Sequence, residues 1–500
     1  MKKLTLLTLL SVFLFSAYGQ ELKIEDINLR GFDGMKEVPG HGFYTYFYKE
    51  KLKKGMKKFS LKFFNYNYKE IGSSDIVLSS LAFNGGAASN SESVALAFID
   101  PKAKNIQVKS YSPEGNFLGE AVFGENKYLT EAMHAASPLV EIYALEDGYL
   151  IMSVIRTGMM KMNFRITRVT NEMDVVWEKR FEDGKINMIA NDILAVGEST
   201  YLTFIAGKGI KYDNYGDYIL KLDKDGKEVF RHKFEEEYAY APVKMLFEDE
   251  MLFTFGPFME ENNGKNVLGL QGVVFSEDGE KLNSVMIDWN KDILPAAQKM
   301  NLEGELSEKR NPGFFVHDIV KTEDGNYRVI TETVYSKVVP GVGVSFSTNS
   351  GSGVGVQANT QFKFSDFFIF TFDDGLKNTN IQAVTKKTNK IVLAGIGYRP
   401  SRMQKYFGGY NLYNYQFVKH LGDREFLVYV TRENYGSNVQ VCVAEISNDE
   451  KVKKSLKIES DISNEKKLRY WDVFNNTENN ITVYTYKTGT VKMYNLTFEN

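Results

Sequence analysis

Two kinds of turn recur along the chain at nearly fixed intervals, and this repetition constrains the fold more than any other feature. The first kind precedes an aromatic-rich strand, as at Glu146–Gly148 and Gly197–Ser199. The second kind closes the next pair of strands, as at Asp223–Gly226 and Glu277–Gly279. Gly, Asn and Asp suit such turns because they tolerate positive φ angles. The chain is therefore predicted to be a succession of β-hairpins.

The spacing of the turns distinguishes a true repeat from turns that are merely common. First turns centred on Asp147, Glu198 and Asp249 are 51 residues apart, and second turns follow first turns after 25 to 29 residues. Four strands repeated about every 50 residues are typical of a β-propeller blade. One complete unit is predicted at 188–196, 201–206, 217–222 and 227–234.

The number of first turns predicts the number of blades. There are eight of them, including a looser one at Asn84–Glu92 and a last one at Asn476–Asn480. The chain ends before the last blade can complete its fourth strand, and Leu22–Arg30 is predicted to supply it. Pairing the N- and C-terminal strands would close the ring and remove an exposed edge. The prediction is an all-β propeller of eight four-stranded blades, or of seven if a terminal hairpin is an addition.

These turns resemble those of bacterial secreted β-propeller repeat proteins of an uncharacterised family, in which a strand, an Asp-x-Asp-Gly-like turn and another strand recur. Asp223-Lys224-Asp225-Gly226 shows the pattern, and the resemblance covers most of residues 35–500. It implies the repeat architecture alone. Kelch, WD40 and quinoprotein signatures are not present in intact form, so no functional residue is carried over from such proteins.

The N-terminus predicts export. Lys2 and Lys3 precede an apolar run from Leu4 to Phe15, and small residues follow at Ala17 and Gly19. This arrangement is typical of a signal peptide spanning 1–19, with 20–500 as a single propeller domain in the periplasm or outside the cell. No later apolar stretch reaches the length of a transmembrane segment.

Charge and cysteine content exclude several classes of function. There are 61 basic and 64 acidic residues, so the net charge of -3 predicts no broad basic face and no nucleic-acid partner. The single cysteine, Cys442, excludes an intramolecular disulfide framework and a cysteine-built zinc site.

Three insertions interrupt the repeat, at 288–312, 337–363 and 385–415. The first and third connect successive blades, and the second joins the middle strands of the sixth blade. In an antiparallel blade such connections emerge at the same end, so all three are expected to crowd one face. Long insertions on a rigid scaffold often carry function. The first is predicted to contain a short helix around Leu294–Leu302, which could act as a lid.

The 337–363 insertion alternates apolar with small or polar residues on both sides of a turn around Asn349–Gly353. One interpretation is that two blade strands extend into a long hairpin. A remote alternative is a membrane-interacting hairpin, which would need about 9 to 11 residues in each arm. Each arm has fewer than this unless it includes residues of the blade.

The 385–415 insertion is rich in Tyr and Arg, which form good recognition surfaces because they combine apolar area with hydrogen-bonding groups. The competing interpretation is that these rings pack the loop onto the blade below it. The candidate ligand-binding residues are Tyr398, Arg399, Arg402, Tyr406, Tyr410 and Tyr413.

Candidate catalytic residues are scarce. His317 and Asp318 form the one acid/base pair worth inspecting, and a core or channel-lining position is the competing interpretation. The five histidines show no metal-type spacing, and neither a cofactor motif nor a metal site is predicted. The leading hypothesis is an exported, non-enzymatic propeller that binds a protein or a glycan. The alternative is a hydrolase or lyase with its active site in the axial channel.

Overall fold

The computed structural model of the protein describes residues 22–24, 34–124, 139–158, 161–208, 215–234, 238–260, 266–300, 311–347, 351–386, 388–394, 414–421, 424–433, 438–446, 453–457, 470–475, 480–487 and 490–497. The predicted signal peptide lies outside these residues. So do the predicted turns at Gly422–Asp423, Asn448–Asp449 and 476–479.

The described strands form eight antiparallel sheets, numbered here in chain order. Sheet 1 contains β2 (Met35–Val38), β3 (Gly42–Leu52), β4 (Met56–Phe64) and β5 (Glu70–Ser79). Sheet 2 contains β6 (Phe83–Ser89), β7 (Val94–Asp100), β8 (Asn105–Tyr111) and β9 (Phe117–Phe123). Sheet 3 contains β10 (Val140–Leu145), β11 (Gly148–Gly158), β12 (Lys161–Thr170) and β13 (Val175–Phe181). Sheet 4 contains β14 (Asn187–Val196), β15 (Ser199–Gly207), β16 (Tyr215–Leu222) and β17 (Glu228–Lys233).

The remaining sheets carry the irregularities. Sheet 5 contains β18 (Ala239–Tyr240), β19 (Lys244–Glu248), β20 (Met251–Met259), β21 (Val267–Ser276) and β22 (Lys281–Asp288). Sheet 6 contains β23 (Gly313–Lys321), β24 (Tyr327–Ser347), β25 (Gly351–Phe372), β26 (Asn378–Val384) and β27 (Asn389–Ala394). Sheet 7 contains β28 (Tyr415–Leu421), β29 (Arg424–Glu433), β30 (Asn438–Ile446) and β31 (Lys453–Lys457). Sheet 8 contains β32 (Tyr470–Asn475), β33 (Asn480–Lys487), β34 (Thr490–Thr497) and β1 (Leu22–Ile24).

The all-β class predicted from the repeat is confirmed, and most described strands follow the predicted turns. The looser turn predicted at Asn84–Glu92 is wrong in extent, because Phe83–Ser89 forms β6 and the turn itself lies at Asn90–Ser93. Sheet 4 reproduces the predicted unit to within a few residues at each strand end. At the other extreme of the sequence, Leu22–Ile24 pairs antiparallel with Val491–Met493, so β1 is the outer strand of sheet 8. This is the partner strand that the sequence predicted for the last unit.

Short helical segments lie between β3 and β4 and directly after β22. A 3-10 turn spans Lys53–Gly55, a π-helical turn spans Trp289–Ile293, and helix α1 spans Leu294–Lys299. Helix α1 confirms the start of the helix predicted in the first insertion, whereas residues 301–310 lie outside the described residues. In the described part of the chain, no helix has the length and apolar character needed to cross a membrane.

The second turns that the structure describes share one backbone construction, in which the N–H of the fourth residue donates to the carbonyl oxygen of the first. In the turn that begins at Asp223, the side chain accepts hydrogen bonds from the backbone N–H groups of Asp225 and Lys227. The fourth residue, Gly226, has a φ of 75°. Met173 occupies the same position in sheet 3 with a φ of 68°, although it is not glycine. Its side chain is buried in the core, which offsets the cost of a left-handed conformation for a non-glycine residue.

The second turns also clasp the preceding sheet. An added Cβ on Gly119 of β9 would lie 1.8 Å from the carbonyl oxygen of Glu172, in the second turn of sheet 3. Between sheets 3 and 4, the glycine is instead in the turn and the bulky residue on the sheet, since the Trp177 ring of β13 covers Gly226. Phe230 of β17 covers Gly279 in the same way. A small residue on one side of each of these contacts therefore allows adjacent sheets to meet closely.

Aromatic side chains fill the space between neighbouring sheets. Phe164 of sheet 3 meets Phe204 of sheet 4 edge-on, with ring centroids 6.2 Å apart. Phe253 of sheet 5 lies 4.2 Å from Tyr327 of sheet 6 by the same measure. Many of the aromatic side chains in the described part of the chain thus belong to the inter-sheet core.

Candidate functional site

The described parts of the three insertions meet at sheet 6. The first insertion begins at Trp289, whose ring lies 5.5 Å from Phe314 of β23 and 5.9 Å from Phe368 of β25 between centroids. The second is the extension of β24 and β25, and the third begins after β26. The bases of all three therefore lie on, or directly against, a single sheet.

Strands β24 and β25 pair along their whole length, from Tyr327 opposite Phe372 to Ser347 opposite Gly351, with one register shift after Glu332. The long hairpin expected for 337–363 is thus confirmed. Because the extension continues the sheet strands, its arms include blade residues and exceed the length that the insertion alone suggested. Strand β27 adds a third strand by pairing with Asn359–Phe364 of β25.

His317 lies at a β-bulge in β23, between Val316 and Asp318 in the register with β24. A bulge redirects the side chains around it. The Nε2 atom of His317 lies 3.0 Å from Oε2 of Glu332 on β24, and both side chains are buried. Glu332 is itself next to a register shift, where the regular part of the sheet gives way to the hairpin extension.

Lys386 contacts the same carboxylate from the start of the third insertion. Its Nζ atom lies 2.9 Å from Oε1 of Glu332, and the exposure of both side chains is zero. The same ammonium lies 5.3 Å from the centre of the Phe367 ring. The side-chain amide of Asn414 is oriented so that its nitrogen donates to the Val430 carbonyl oxygen. Its oxygen then accepts a hydrogen bond of 2.7 Å from Lys386 Nζ.

Tyr415, at the end of the same insertion, contacts His317 and its neighbour Asp318. Its hydroxyl donates a hydrogen bond of 2.8 Å to Oδ2 of Asp318. Its ring stacks on the His317 imidazole with centroids 4.8 Å apart and an interplanar angle of 11°. Burial, and secondarily the nearby Asp318 carboxylate, raises the pKa of the Tyr415 phenol well above its ordinary value.

The electrostatics of Glu332 show how the cluster is balanced. Burial by itself would raise the pKa of this carboxyl group. The charge of Lys386 and the hydrogen bond with His317 outweigh that effect, so the pKa lies below its ordinary value. Glu332 is therefore an ionised carboxylate at neutral pH, and its charge is compensated within the protein.

These buried contacts hold both ends of the third insertion against sheet 6. Lys386 and Asn414–Tyr415, at the two ends of the third insertion, are bound to Glu332, His317 and Asp318 of sheet 6. Because the Glu332 and Lys386 side chains have no exposed surface, a substrate could not reach them without opening the structure. We name His317, Asp318, Glu332, Lys386, Asn414 and Tyr415 the insertion anchor.

The sequence analysis singled out two of these residues and missed the rest. Glu332 is the lone acid between Ile330 and Val334, in a segment that otherwise suits a buried strand. Such an isolated charge was a usable signal, because a buried carboxylate needs a partner. Nothing in the sequence identified Lys386 as that partner.

The candidate ligand-binding residues of the third insertion lie outside the described residues, and their role stays a prediction. They are Tyr398, Arg399, Arg402, Tyr406, Tyr410 and Tyr413. In the described part of the chain, no three metal-ligating side chains form a group that could hold a metal ion.

A small cavity of about 10 Å³ lies elsewhere, between sheets 3 and 4. Met152, Met162 and Met188 contribute to its lining, together with Asn163. It is separate from the insertion anchor.

Comparison with known proteins gives a family without an assigned activity. A family model described as "Family of unknown function (DUF6770)" matches residues 1–490. No curated protein sequence matches the chain significantly.

The solved structures that match the chain include a β-propeller domain. The β-propeller domain of the Trilobed protease from Pyrococcus furiosus is 9% identical, with 84% of this chain and 94% of that chain covered and a TM-score of 0.35. A subtype N10 neuraminidase-like protein of A/little yellow-shouldered bat is 8% identical, with coverage of 82% and 93% and a TM-score of 0.33. The AfRom2 CNH domain is 8% identical, with coverage of 82% and 92% and a TM-score of 0.34. No activity is transferred from these proteins.

Proposed function

For this chain, which belongs to the DUF6770 family of unknown function, we propose a role as an exported, non-enzymatic β-propeller that binds a protein or a glycan through its insertions. The observation that carries the proposal is the insertion anchor. It fixes both ends of the Tyr- and Arg-rich 385–415 insertion to sheet 6 through buried ionic and hydrogen-bonded contacts.

The propeller itself is part of the proposal. The eight sheets would be eight blades, with β1 completing the last one by pairing with β34. The close contacts between second turns and the preceding sheet, which recur from sheet 1 to sheet 5, support this arrangement, because they join successive units at equivalent positions. A ring closed in this manner leaves no unpaired end between its first and last blades.

A rigid base under a loop favours binding. Residues that hold a ligand must keep their geometry, and loops do so best when the scaffold fixes their ends. Lys386 and Tyr415 make contacts that position the start and the end of the insertion at sheet 6. The aromatic and guanidinium groups between them would then form the recognition surface.

The hydrolase or lyase alternative receives less support. His317 and Asp318 already contact other side chains of the protein, namely Glu332 and Tyr415. A general acid or base has to reach the proton that it transfers in a bound substrate. His317 is buried and Asp318 is partly buried against Tyr415, and these positions favour a structural role.

Binding can be tested with the mature chain, residues 20–500. A variant combining Arg402→Ala, Tyr406→Ala and Tyr410→Ala should lose at least tenfold in affinity for any ligand found on a glycan array or in a pull-down. The control combines Lys224→Ala and Lys227→Ala, which change the exposed second turn of sheet 4. Unchanged binding by the first variant would refute recognition by the 385–415 insertion.

Export can be tested separately. Expression of the full chain in a secreting bacterial host should give a mature protein that begins at Gln20. N-terminal sequencing measures this directly. An intact Met1 on protein recovered from the cytoplasm would contradict the proposal.

A further inference from the structure

We propose that the extended hairpin of sheet 6 is a self-association surface, in which residues Gly341–Ser347 of β24 pair antiparallel with the same segment of a second copy. Val344 would lie on the two-fold axis. This inference goes beyond the proposed binding function and does not depend on it, because it concerns 337–363 and not 385–415.

The distal hairpin is a two-stranded ribbon. Strand β23 pairs with β24 only as far as Val334, and β27 pairs with β25 only from Asn359 to Phe364. Within the described residues, positions 340–347 therefore pair only with 351–358. An isolated two-stranded ribbon is at best marginally stable in water. A third strand on a free edge would stabilise it.

From Gly341 to Ser347, the edge of β24 lacks the charged residues and prolines that normally prevent such pairing. The sequence from Val338 to Phe362 contains no charged residue, and Lys337 and Lys363 mark its limits at the base. Charges on edge strands usually block pairing with another chain. Val338, at the beginning of the free edge, has 74% of its surface exposed.

The residue pattern favours a second copy of this chain over another protein. The segment Gly-Val-Gly-Val-Ser-Phe-Ser at 341–347 alternates small and apolar residues symmetrically about Val344. In antiparallel pairing about that residue, Val342 would face Phe346 of the second copy, and Gly343 would face Ser345. Apolar positions thus meet apolar ones, and small positions meet small ones.

Two further features suit a two-fold axis. A residue on or near the axis meets its own copy, so a charge there would be repelled, and this segment has none. Pro340 lacks an N–H group and cannot donate to a neighbouring strand. Centring the pairing on Val344 leaves Pro340 just outside the paired segment.

The register of the ribbon places the apolar positions on one face. Val342 and Val344 pair with Val356 and Val354, whereas Gly343 pairs with Gly355. Because successive residues of a strand alternate between its two faces and paired residues share a face, the valine positions belong to one face of the ribbon and the glycine positions to the other. Self-association would continue that apolar face across both copies.

Cysteine cross-linking tests the register. Cys442 is the one native cysteine and is buried, so an engineered cysteine gives a specific signal. Val344→Cys should form a disulfide-linked dimer under mild oxidation, because antiparallel partners have Cα separations of about 4.5 to 5.5 Å. Ser347→Cys is the control on the same strand, since the two copies of residue 347 would be about 20 Å apart. Gln357→Cys is the control on β25.

Solution mass provides the second test, using sedimentation velocity of the mature chain from micromolar to millimolar concentration. The wild type should show a concentration-dependent dimer. Val344→Lys should raise the dimer dissociation constant at least tenfold, because two like charges would face each other and weaken the dimer. Val354→Lys, which adds the same charge on the other arm, should have a smaller effect.

Several results would overturn the proposal. A monomer at all concentrations, together with no cross-link at position 344, would exclude self-association. A cross-link through Gln357→Cys but not through Val344→Cys would assign the pairing to the other edge. Binding to phosphatidylcholine vesicles without dimer formation would favour a membrane role for the hairpin.

Discussion

Lys386 and Glu332 form an ion pair with an N–O distance of 2.9 Å in which neither side chain has any exposed surface. The pair joins the start of the 385–415 insertion to the strand that carries the extended hairpin. Two opposite charges in such a place are tolerable only because they compensate each other and have further partners. His317 supplies the second contact of Glu332.

Removing one charge from this pair should destabilise the protein strongly. Glu332→Gln leaves the Lys386 ammonium buried without its carboxylate, and the free energy of unfolding should fall by about 3 to 5 kcal/mol. Urea denaturation followed by tryptophan fluorescence measures the change. Glu120→Gln is the control, because Glu120 pairs with Lys109 at 2.7 Å but is 31% exposed. The control should lose less than about 1 kcal/mol. Equal losses in the two variants would show that the buried pair has no special role.

The same carboxylate should make stability depend on pH. The pKa of Glu332 is lower in the folded protein than its ordinary value. The resulting stabilisation is present above the unfolded-state pKa of about 4.3 and is lost as pH falls through the folded-state value. The wild type should therefore lose stability on acidification more steeply than Glu332→Gln below that pH. Denaturation curves between neutral and acidic pH test this, and parallel curves for the two proteins would contradict it.

The hydroxyl of Tyr415 should stabilise the end of the insertion through Asp318. Tyr415→Phe keeps the ring that stacks on His317 but removes the donor of the 2.8 Å hydrogen bond. The expected loss is about 1.5 to 3 kcal/mol, the range for hydrogen bonds to charged groups. Asp318→Asn retains an acceptor and should lose less. A Tyr415→Phe variant as stable as the wild type, measured by the same urea denaturation, would show that the bond contributes nothing.

The close approach of sheets 2 and 3 should not tolerate a methyl group. Gly119→Ala places a Cβ against the backbone carbonyl of Glu172, so either β9 or the turn has to move. Overpacking of this kind costs about 1 to 3 kcal/mol. Gly184→Ala is the control, because no atom lies within 4 Å of its added Cβ. Thermal unfolding should show a lower midpoint for Gly119→Ala alone, and equal midpoints in both variants would disprove the clasp.

Much of the fold could be predicted because its signals are local. The turn at Asp223–Gly226 combines a side-chain acceptor at its first residue with a glycine at its fourth, and both are visible in the sequence. The same turn geometry at Met173 could not be recognised from composition, since a buried methionine adopts the left-handed conformation there. The neighbouring Asn171-Glu172 pair and the spacing of the repeat located that turn.

The candidate site could be predicted only in part, for a related reason. His317 and Asp318 attracted attention as an acid/base pair, but their partners Glu332 and Tyr415 come from other strands. Lys386 follows β26 in the sequence and nothing in its local pattern marks it as buried. Contacts of this type depend on which sheet edges and loop ends come together in space.

The sequence by itself determined the repeat, the positions of the described turns and the all-β class, because hairpin signals act over a few residues and recur with a constant spacing. Only the tertiary structure decided that Lys386, Glu332 and His317 share one buried cluster, and that a Trp177 ring meets Gly226 across two sheets. Those relationships arise from packing between units, where burial forces charges to pair and bulky groups to meet small ones.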